Sequence, residues 1–387
     1  VTVQEHFKVS EVLSMCEEKD YSFHSFPVVD SDGKYVGMVT SNDFAFCTDP
    51  ESQIKDIMTP SQETIRGGVE LTLDDAYKLM LKHKKKTLPL LNENLGVEFL
   101  YCWRDIVRVK SNTLTHNTDD NGQLRVAAAI GTHPDDRYMA QRLVEVGGVD
   151  VIVIDTAHGD SKPVIEMLKW IKKNYEVDVV AGNVSEPESV GNLIRAGADG
   201  IKVGQGPSGI CTTRIVAGVG CPQLTAVWQC SQAAGYVPVC ADGGLRYSGD
   251  ITIALAAGAQ CVMMGGMLAG TKEAPGEKVF LNGRRWKYYR GMGSLSAMKE
   301  SKASRERYRQ EENKLTPEGI EGMVPYKGDL EAVVSQYMGG LRAGMGYVGV
   351  DNLNSLRSMS EFHRITHAGI TESHPHDIRV TSENHSS

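Results

Sequence analysis

The sequence predicts an α/β protein built on a parallel sheet, with a smaller repeated unit ahead of it. Three observations carry this. From residue 124 onward short apolar runs alternate with helix-like stretches, at 126–130, 149–154, 177–181, 200–203, 237–241 and 260–264. These runs are β-rich and lack polar alternation, as expected of parallel strands covered on both faces. Residues of chemical character follow the strand ends: Asp155-Thr156-Ala157-His158-Gly159, Gly182-Asn183, Gly204 to Cys211, Asp242-Gly243-Gly244 and Gly265-Gly266. In a (β/α)8 TIM barrel the active site gathers at those ends. An open nucleotide-binding sheet is the competing arrangement, but no G-x-G-x-x-G opens an early helix. Six units are visible where a barrel needs eight, so two are expected to be absent from this chain.

The totals agree with this. A chain of 387 residues holds two or three domains of ordinary size. A net charge of −8 offers no broad positive field for nucleic acid. A small phosphorylated ligand is compatible with it, because backbone amides hold phosphate without net positive charge. The eight cysteines form no C-x-x-C pair, disulfide framework or zinc spacing, which points to a reducing, cytoplasmic setting. No apolar run is long enough to cross a membrane, and no secretory signal is present. The strand-like Val1-Thr2-Val3, without an initiator methionine, reads as the start of a processed, truncated or partial chain.

The elements follow in order. Ser25-Phe26-Pro27-Val28-Val29-Asp30 leads into 37–44, and Thr87-Leu88-Pro89-Leu90-Leu91-Asn92 leads into 99–106. Pro27 and Pro89 stand 62 apart, and so do Asp43 and Asp105, which marks an internal repeat. Each copy reads as helix, strand, turn, strand, then a helix with an Asp in its first turn. The stretch FPVVDSDGKYVGMVTSNDF resembles a cystathionine-β-synthase (CBS) repeat. That resemblance implies a tandem CBS pair over 1–112 that binds a regulatory adenine or guanine nucleotide, with Asp43 and Asp105 as ribose contacts. The second copy departs from the first, with Phe99 for Gly37 and Cys102 for Thr40. A structural insert that binds nothing has the same pattern. A polar linker is expected over 113–124, since 111–122 carries turn formers and no apolar period. The sheet domain then occupies 125–387.

The most informative segment is Ile201 to Arg214: a strand, a glycine-rich loop, and Cys211 followed by Thr212, Thr213 and Arg214. Small residues let backbone amides approach an anion or a ring. A cysteine near Arg214 and a helix start suits a nucleophile, although the loop alone is equally compatible with a structural cysteine. The other cysteines, in apolar or helical context, read as structural.

The segment VGQGPSGICTTRIVAGVGCPQLTAV is similar to the catalytic loop of the IMP dehydrogenase and GMP reductase family. So are AGNV (181–184), ADGGLRYSGDI (241–251), YRGMGSL (289–295), PEGIEG (317–322) and ESHPHD (372–377), in family order. A CBS pair inserted into a (β/α)8 barrel is a trait of the family. The resemblance implies that Cys211 attacks C2 of a purine nucleotide and that Thr213 and Glu318 assist. Asp242 would hold the ribose. Ser208, Gly209, Gly243, Gly244, Gly265, Gly266 and Tyr289 would surround the phosphate, with Met292, Gly293 and Glu318 at the base. Asp155, Thr156, Ala157 and Asn183 would face NAD. A potassium ion would lie on Gly206, Ser208 and Cys211, joined by Glu372, Ser373 and His374 of a neighbouring subunit in a homotetramer or octamer.

The direction of reaction turns on a mobile flap over 299–322. Arg307 and Tyr308 match the dehydrogenase pair that activates water. Gly266, where dehydrogenases usually carry serine, and Arg309 after Tyr308 resemble GMP reductase, which uses NADPH. The order Ser208-Gly209 reverses the family's usual Gly-Ser. The expectation is IMP dehydrogenase, with GMP reductase the alternative and a non-catalytic nucleotide sensor a third.

Overall fold

The computed structural model describes residues 1–19, 21, 23–110, 117–119, 122–308, 310–311 and 315–378. The chain divides into two compact units, Val1–Leu124 and Arg125–Ser387.

The first unit contains the two repeats. Strand β1 (Val3–Gln4) precedes α1 (Val9–Glu18), β2 (Phe26–Val29), β3 (Tyr35–Val39) and α2 (Ser41–Phe46); α3 (Ile54–Ile57) and β4 (Thr59–Pro60) follow. The second copy has β5 (Gly67–Gly68), α4 (Leu73–His83), β6 (Thr87–Leu91), β7 (Val97–Cys102) and α5 (Trp103–Lys110). Each copy closes its own apolar core: Val12, Phe26, Val28 and Ile54 in one, Met80, Leu88, Leu90 and Ile106 in the other. Asp43 closes the first turn of α2. Its Oδ2 accepts from the Thr40 N–H at 2.7 Å and the Thr40 hydroxyl at 2.8 Å. Asp105 lies in the first turn of α5, where Cys102 supplies no hydroxyl to match Thr40.

The departures of the second repeat have a packing reason. Gly37 pairs with Pro60, and a side chain there would stand 2.5 Å from the Thr59 carbonyl oxygen. Glycine therefore lets β4 dock on β3. Among the described residues β7 pairs with β6 alone, so Phe99 at the corresponding place has no second strand docking on it and is exposed.

The second unit is built on a parallel sheet in the order β13-β12-β11-β10-β9-β8. Its strands are β8 (Ala127–Ile130), β9 (Val151–Asp155), β10 (Asp178–Val184), β11 (Gly200–Val203), β12 (Val239–Asp242) and β13 (Cys261–Met263). Each predicted run contributes one strand. Helices α6 (Pro134–Glu145), α7 (Lys162–Asn174), α8 (Pro187–Ala196), α9 (Thr213–Val216), α10 (Gln223–Ala234), α11 (Ser248–Ala256) and α12 (Gly266–Ala269) alternate with them. Local chemistry sets the helix ends. Pro187 opens α8, and Gly197 closes it at φ +105°, a backbone conformation that glycine adopts without strain.

Alternation along each strand sorts the side chains into two sets. Ile152, Ile154, Val179, Ala181, Ile201, Val203, Val239 and Ala241 form the core shared with the helices. Asp155, Lys202 and Asp242 belong to the opposite set. This is a TIM-barrel sheet of which the described residues supply six strands, and among them β8 and β13 each have a single sheet neighbour. One expectation is corrected here. Cys261 reads as a structural cysteine in an apolar strand, yet it is exposed, because β13 lies at an open edge.

An antiparallel sheet of β14 (Lys278–Leu281), β15 (Arg284–Arg290) and β16 (Glu321–Pro325) follows, with α13 (Leu295–Glu300) and α14 (Lys302–Arg307) between its last two strands. Helices α15 (Leu330–Val348), α16 (Leu353–Met359) and α17 (His367–Glu372) complete the unit. Val333, Tyr337, Leu341 and Leu356 join the main core.

Candidate active site

The strands being parallel, their C-terminal ends open on one side, and the loops after β9 to β12 converge there with the segment around α14. Asp155, Gly182, Lys202 and Cys240 occupy one row across the sheet, by direct register. Gly182 has no side chain, and a Cβ there would stand 2.4 Å from the Lys202 carbonyl oxygen and 2.7 Å from its Cβ. Lys202 therefore reaches across Gly182, placing Nζ 2.8 Å from Asp155 Oδ1 and against Asp242. The lysine is 1% exposed. A buried ammonium is tolerated only where carboxylates pair with it.

Two further groups complete the cluster. Arg307, at the end of α14, pairs with Asp155. Asn183 donates from Nδ2 to the Gly204 carbonyl at 2.7 Å and to Asp242 Oδ2 at 2.9 Å. Burial pushes the Asp155 carboxyl up, but Lys202 and then Arg307 outweigh it and hold the carboxyl below its ordinary range.

Cys211 sits in the loop after β11, just ahead of α9. Its Sγ is 3.2 Å from Thr213 Oγ1, and that hydroxyl donates to Glu318 Oε2 at 2.8 Å. The backbone holds this line in place. Thr212 N–H donates to the Glu318 carbonyl at 2.8 Å, Ile320 N–H to the Ile210 carbonyl at 2.9 Å, and Glu318 N–H to the Gly293 carbonyl at 2.9 Å. The Arg214 guanidinium is engaged with the carbonyls of Gln205 and Cys221, so it organises the loop instead of serving the thiol, as its sequence proximity suggests. Tyr308 packs its ring where a Gly293 side chain would stand, 2.8 Å from Cζ, and its burial pushes the phenol up.

These groups line one cleft of about 660 Å³, with Asp155, Ala157, Asn183, Lys202, Gly206, Ser208, Cys211, Thr213, Asp242, Gly243, Met292, Gly293, Arg307, Tyr308 and Glu318 on its walls. A neighbouring cavity of about 660 Å³ is walled by Ser208, Gly209, Gly243, Gly244, Gly265, Gly266 and Tyr289. Thr156 has a different role: it is buried and its hydroxyl donates to the Gly182 carbonyl at 2.9 Å. Glu372, Ser373 and His374 line neither cavity. They end α17, with the His374 ring edge-on to Tyr247 at 5.8 Å. Arg309 lies outside the described residues, as do 113–116, 120 and 121 of the expected linker.

Sequence reasoning assigned no role to Lys202 or Gln205. Lys202 is the single charged residue in the apolar run 200–203, a signal in itself, since an ammonium in a covered strand requires partners. Gln205 carries no such signal.

Residues 71–376 match the IMP dehydrogenase / GMP reductase domain, and residues 1–47 match the CBS domain. The chain is 49% identical to inosine-5'-monophosphate dehydrogenase of Aquifex aeolicus, over 99% of this chain and 78% of that protein. It is 47% identical to the Bacillus subtilis protein of the same name, over 94% of this chain and 75% of that one. Among solved structures, GMP reductase from Trypanosoma brucei in complex with guanosine 5'-monophosphate is similar with a TM-score of 0.85 and 37% identity, covering 98% of this chain and 79% of that one.

Proposed function

The chain belongs to the IMP dehydrogenase / GMP reductase family, and on that premise we propose that it oxidises IMP at C2 with NAD and water, giving XMP and NADH. One observation carries the reading: Cys211, Thr213 and Glu318 form a hydrogen-bonded line in the same cleft as the paired Asp155 and Arg307.

The chemistry follows from these side chains. Cys211 Sγ adds to C2 of the hypoxanthine ring, and the thiol proton leaves through Thr213 toward Glu318. The addition makes C2 tetrahedral, dividing one hard step into two easier ones. NAD, when bound, accepts the hydride from C2. The residues fit that cofactor: Asn183 Oδ1 is buried, has no hydrogen-bond partner among the described residues and lies on the cleft wall with Asp155, an acceptor suited to a carboxamide N–H. The thioimidate left on Cys211 is then attacked by water. Arg307, Tyr308 and Thr213 line the same cleft; they orient the water and take its proton, and the C2–S bond then breaks, releasing XMP and returning the thiolate to Cys211. Asp242 holds the ribose hydroxyls, and Ser208, Gly244, Gly265, Gly266 and Tyr289 hold the phosphate. Arg307 occupies the carboxylate proposed for the cofactor, so docking of the flap and binding of NAD would compete for Asp155.

The carbonyls of Gly206, Ser208 and Cys211 are oxygen donors of the kind that suits an alkali cation, and potassium is the proposed occupant, with Glu372, Ser373 and His374 contributed by a neighbouring subunit. A homotetramer or octamer, a regulatory purine nucleotide at the CBS pair near Asp43 and Asp105, and a cytoplasmic location complete the proposal. No helix among the described residues is long and apolar enough to cross a membrane.

A second reading, GMP reductase with NADPH, is favoured by Gly266 and by the likeness to the trypanosomal structure. Incubation with IMP plus NAD, and separately with GMP plus NADPH, decides between them through the absorbance of the reduced cofactor. Growth with the first pair supports the dehydrogenase, and loss with the second alone supports the reductase. Cys211→Ala is expected to lower either rate by at least ~10³-fold, as loss of a nucleophile does; turnover at the normal rate would overturn the covalent mechanism.

A further inference from the structure

The side-chain amide of Gln205 connects three loops at the strand ends. Gln205 Oε1 accepts from the Ser185 hydroxyl at 2.6 Å, after β10. Gln205 Nε2 donates to the carbonyls of Ala157, at 3.3 Å after β9, and Asn183, at 3.4 Å, and lies 3.5 Å from His158 Nδ1. The Gln205 carbonyl accepts from Arg214 Nε at 3.3 Å. The Ala157 peptide passes the connection on, because its N–H donates to the Arg307 carbonyl at 3.2 Å. A hydrogen-bonded path thus runs from the loop that carries Cys211, through Ala157, to the flap. Ser185 is buried, so its hydroxyl depends on this acceptor.

We infer that Gln205 is a positioning residue for the NAD-dependent half of the reaction. It holds the 157–158 and 183–185 segments against the cysteine loop, forming the shelf on which cofactor and flap dock in turn. It touches no reacting atom in this scheme. The inference rests on the reading of Asp155, Ala157 and Asn183 as the cofactor side of the cleft.

Gln205→Met keeps the side-chain length and removes both donor and acceptor. Each lost hydrogen bond to a docking surface is typically a several-fold effect, so the KM for NAD is expected to rise about tenfold. The hydride burst should slow, while the KM for IMP and the rate of Cys211 alkylation by iodoacetamide stay within about twofold of wild type. Ser185→Ala, which removes one of these bonds and little volume, should move the same parameters less. The two changes together should not add, as expected of groups in contact. An unchanged KM for NAD in both variants overturns the inference. So does an equal rise in both KM values with a fall in melting temperature, the signature of a merely structural glutamine. Wild-type protein that turns over neither nucleotide–cofactor pair refutes the reading beneath it and removes this inference with it.

Discussion

Replacing Lys202 by methionine tests how the cleft is held together. The ammonium is 1% exposed, lies 2.8 Å from Asp155 Oδ1 and contacts Asp242. Methionine retains most of the stem's packing but leaves two carboxylates in a covered site, with Arg307 on Asp155 and Asn183 on Asp242. Removing one partner of a buried ion pair costs about 3–5 kcal/mol. For a domain of this size each kcal/mol moves Tm by roughly 2–4 °C, so a fall of about 6–20 °C is expected at pH 7. The pH dependence has a definite sign. In the wild type Asp155 is held below its ordinary range, burial being outweighed by Lys202 and then Arg307. Its contribution to stability is complete above the unfolded carboxyl value of about 3.9 and is lost as pH falls through the lower folded value. The variant lacks the principal cause of that depression. With only Arg307 left to oppose burial, the Asp155 carboxyl is protonated more readily on acidification, so the variant's deficit should narrow as pH falls from 7 toward the unfolded carboxyl value of about 3.9. Circular-dichroism melts of both proteins across that range measure this. A Tm within about 2 °C of wild type at pH 7 would refute the argument that the lysine neutralises this pair.

Two other perturbations address the flap and the sheet. Arg307→Ala should retain the hydride burst but slow hydrolysis by about 10²–10⁴-fold, the usual contribution of a positioned acid–base group, so that the Cys211 adduct accumulates and is seen by intact-protein mass spectrometry; unchanged turnover without adduct would remove Arg307 from the mechanism. Gly182→Ala should cost about 1–3 kcal/mol, because its Cβ would press on Lys202, which spans this glycine to reach Asp155; thermal melts equal to wild type would show that the row does not need the gap.

Much of the site is legible in the sequence. Cys211, Asp242 and Asp155 stand just after apolar runs, and in a parallel sheet those positions share one rim, so spacing alone brings them together. Residues whose roles come from local backbone geometry were readable in the same way: Asp43 capping α2 is a relation across three residues. Gln205 was not legible. Its partners are 20 to 48 residues away, and a polar residue in a glycine-rich loop looks the same in sequence whether it faces solvent or joins three loops.

Apolar periodicity and the doubled 62-residue spacing by themselves determined the parallel sheet and the repeated leading unit, because each depends on short-range pattern that any fold of this chain must satisfy. Tertiary structure alone decided that Lys202 lies between Asp155 and Asp242 and that Arg307 pairs with Asp155. Those relations depend on strand register, which places Gly182 between two charged neighbours. They also depend on where a segment some 150 residues downstream folds back, and long-range packing of that kind leaves no periodic trace in the chain.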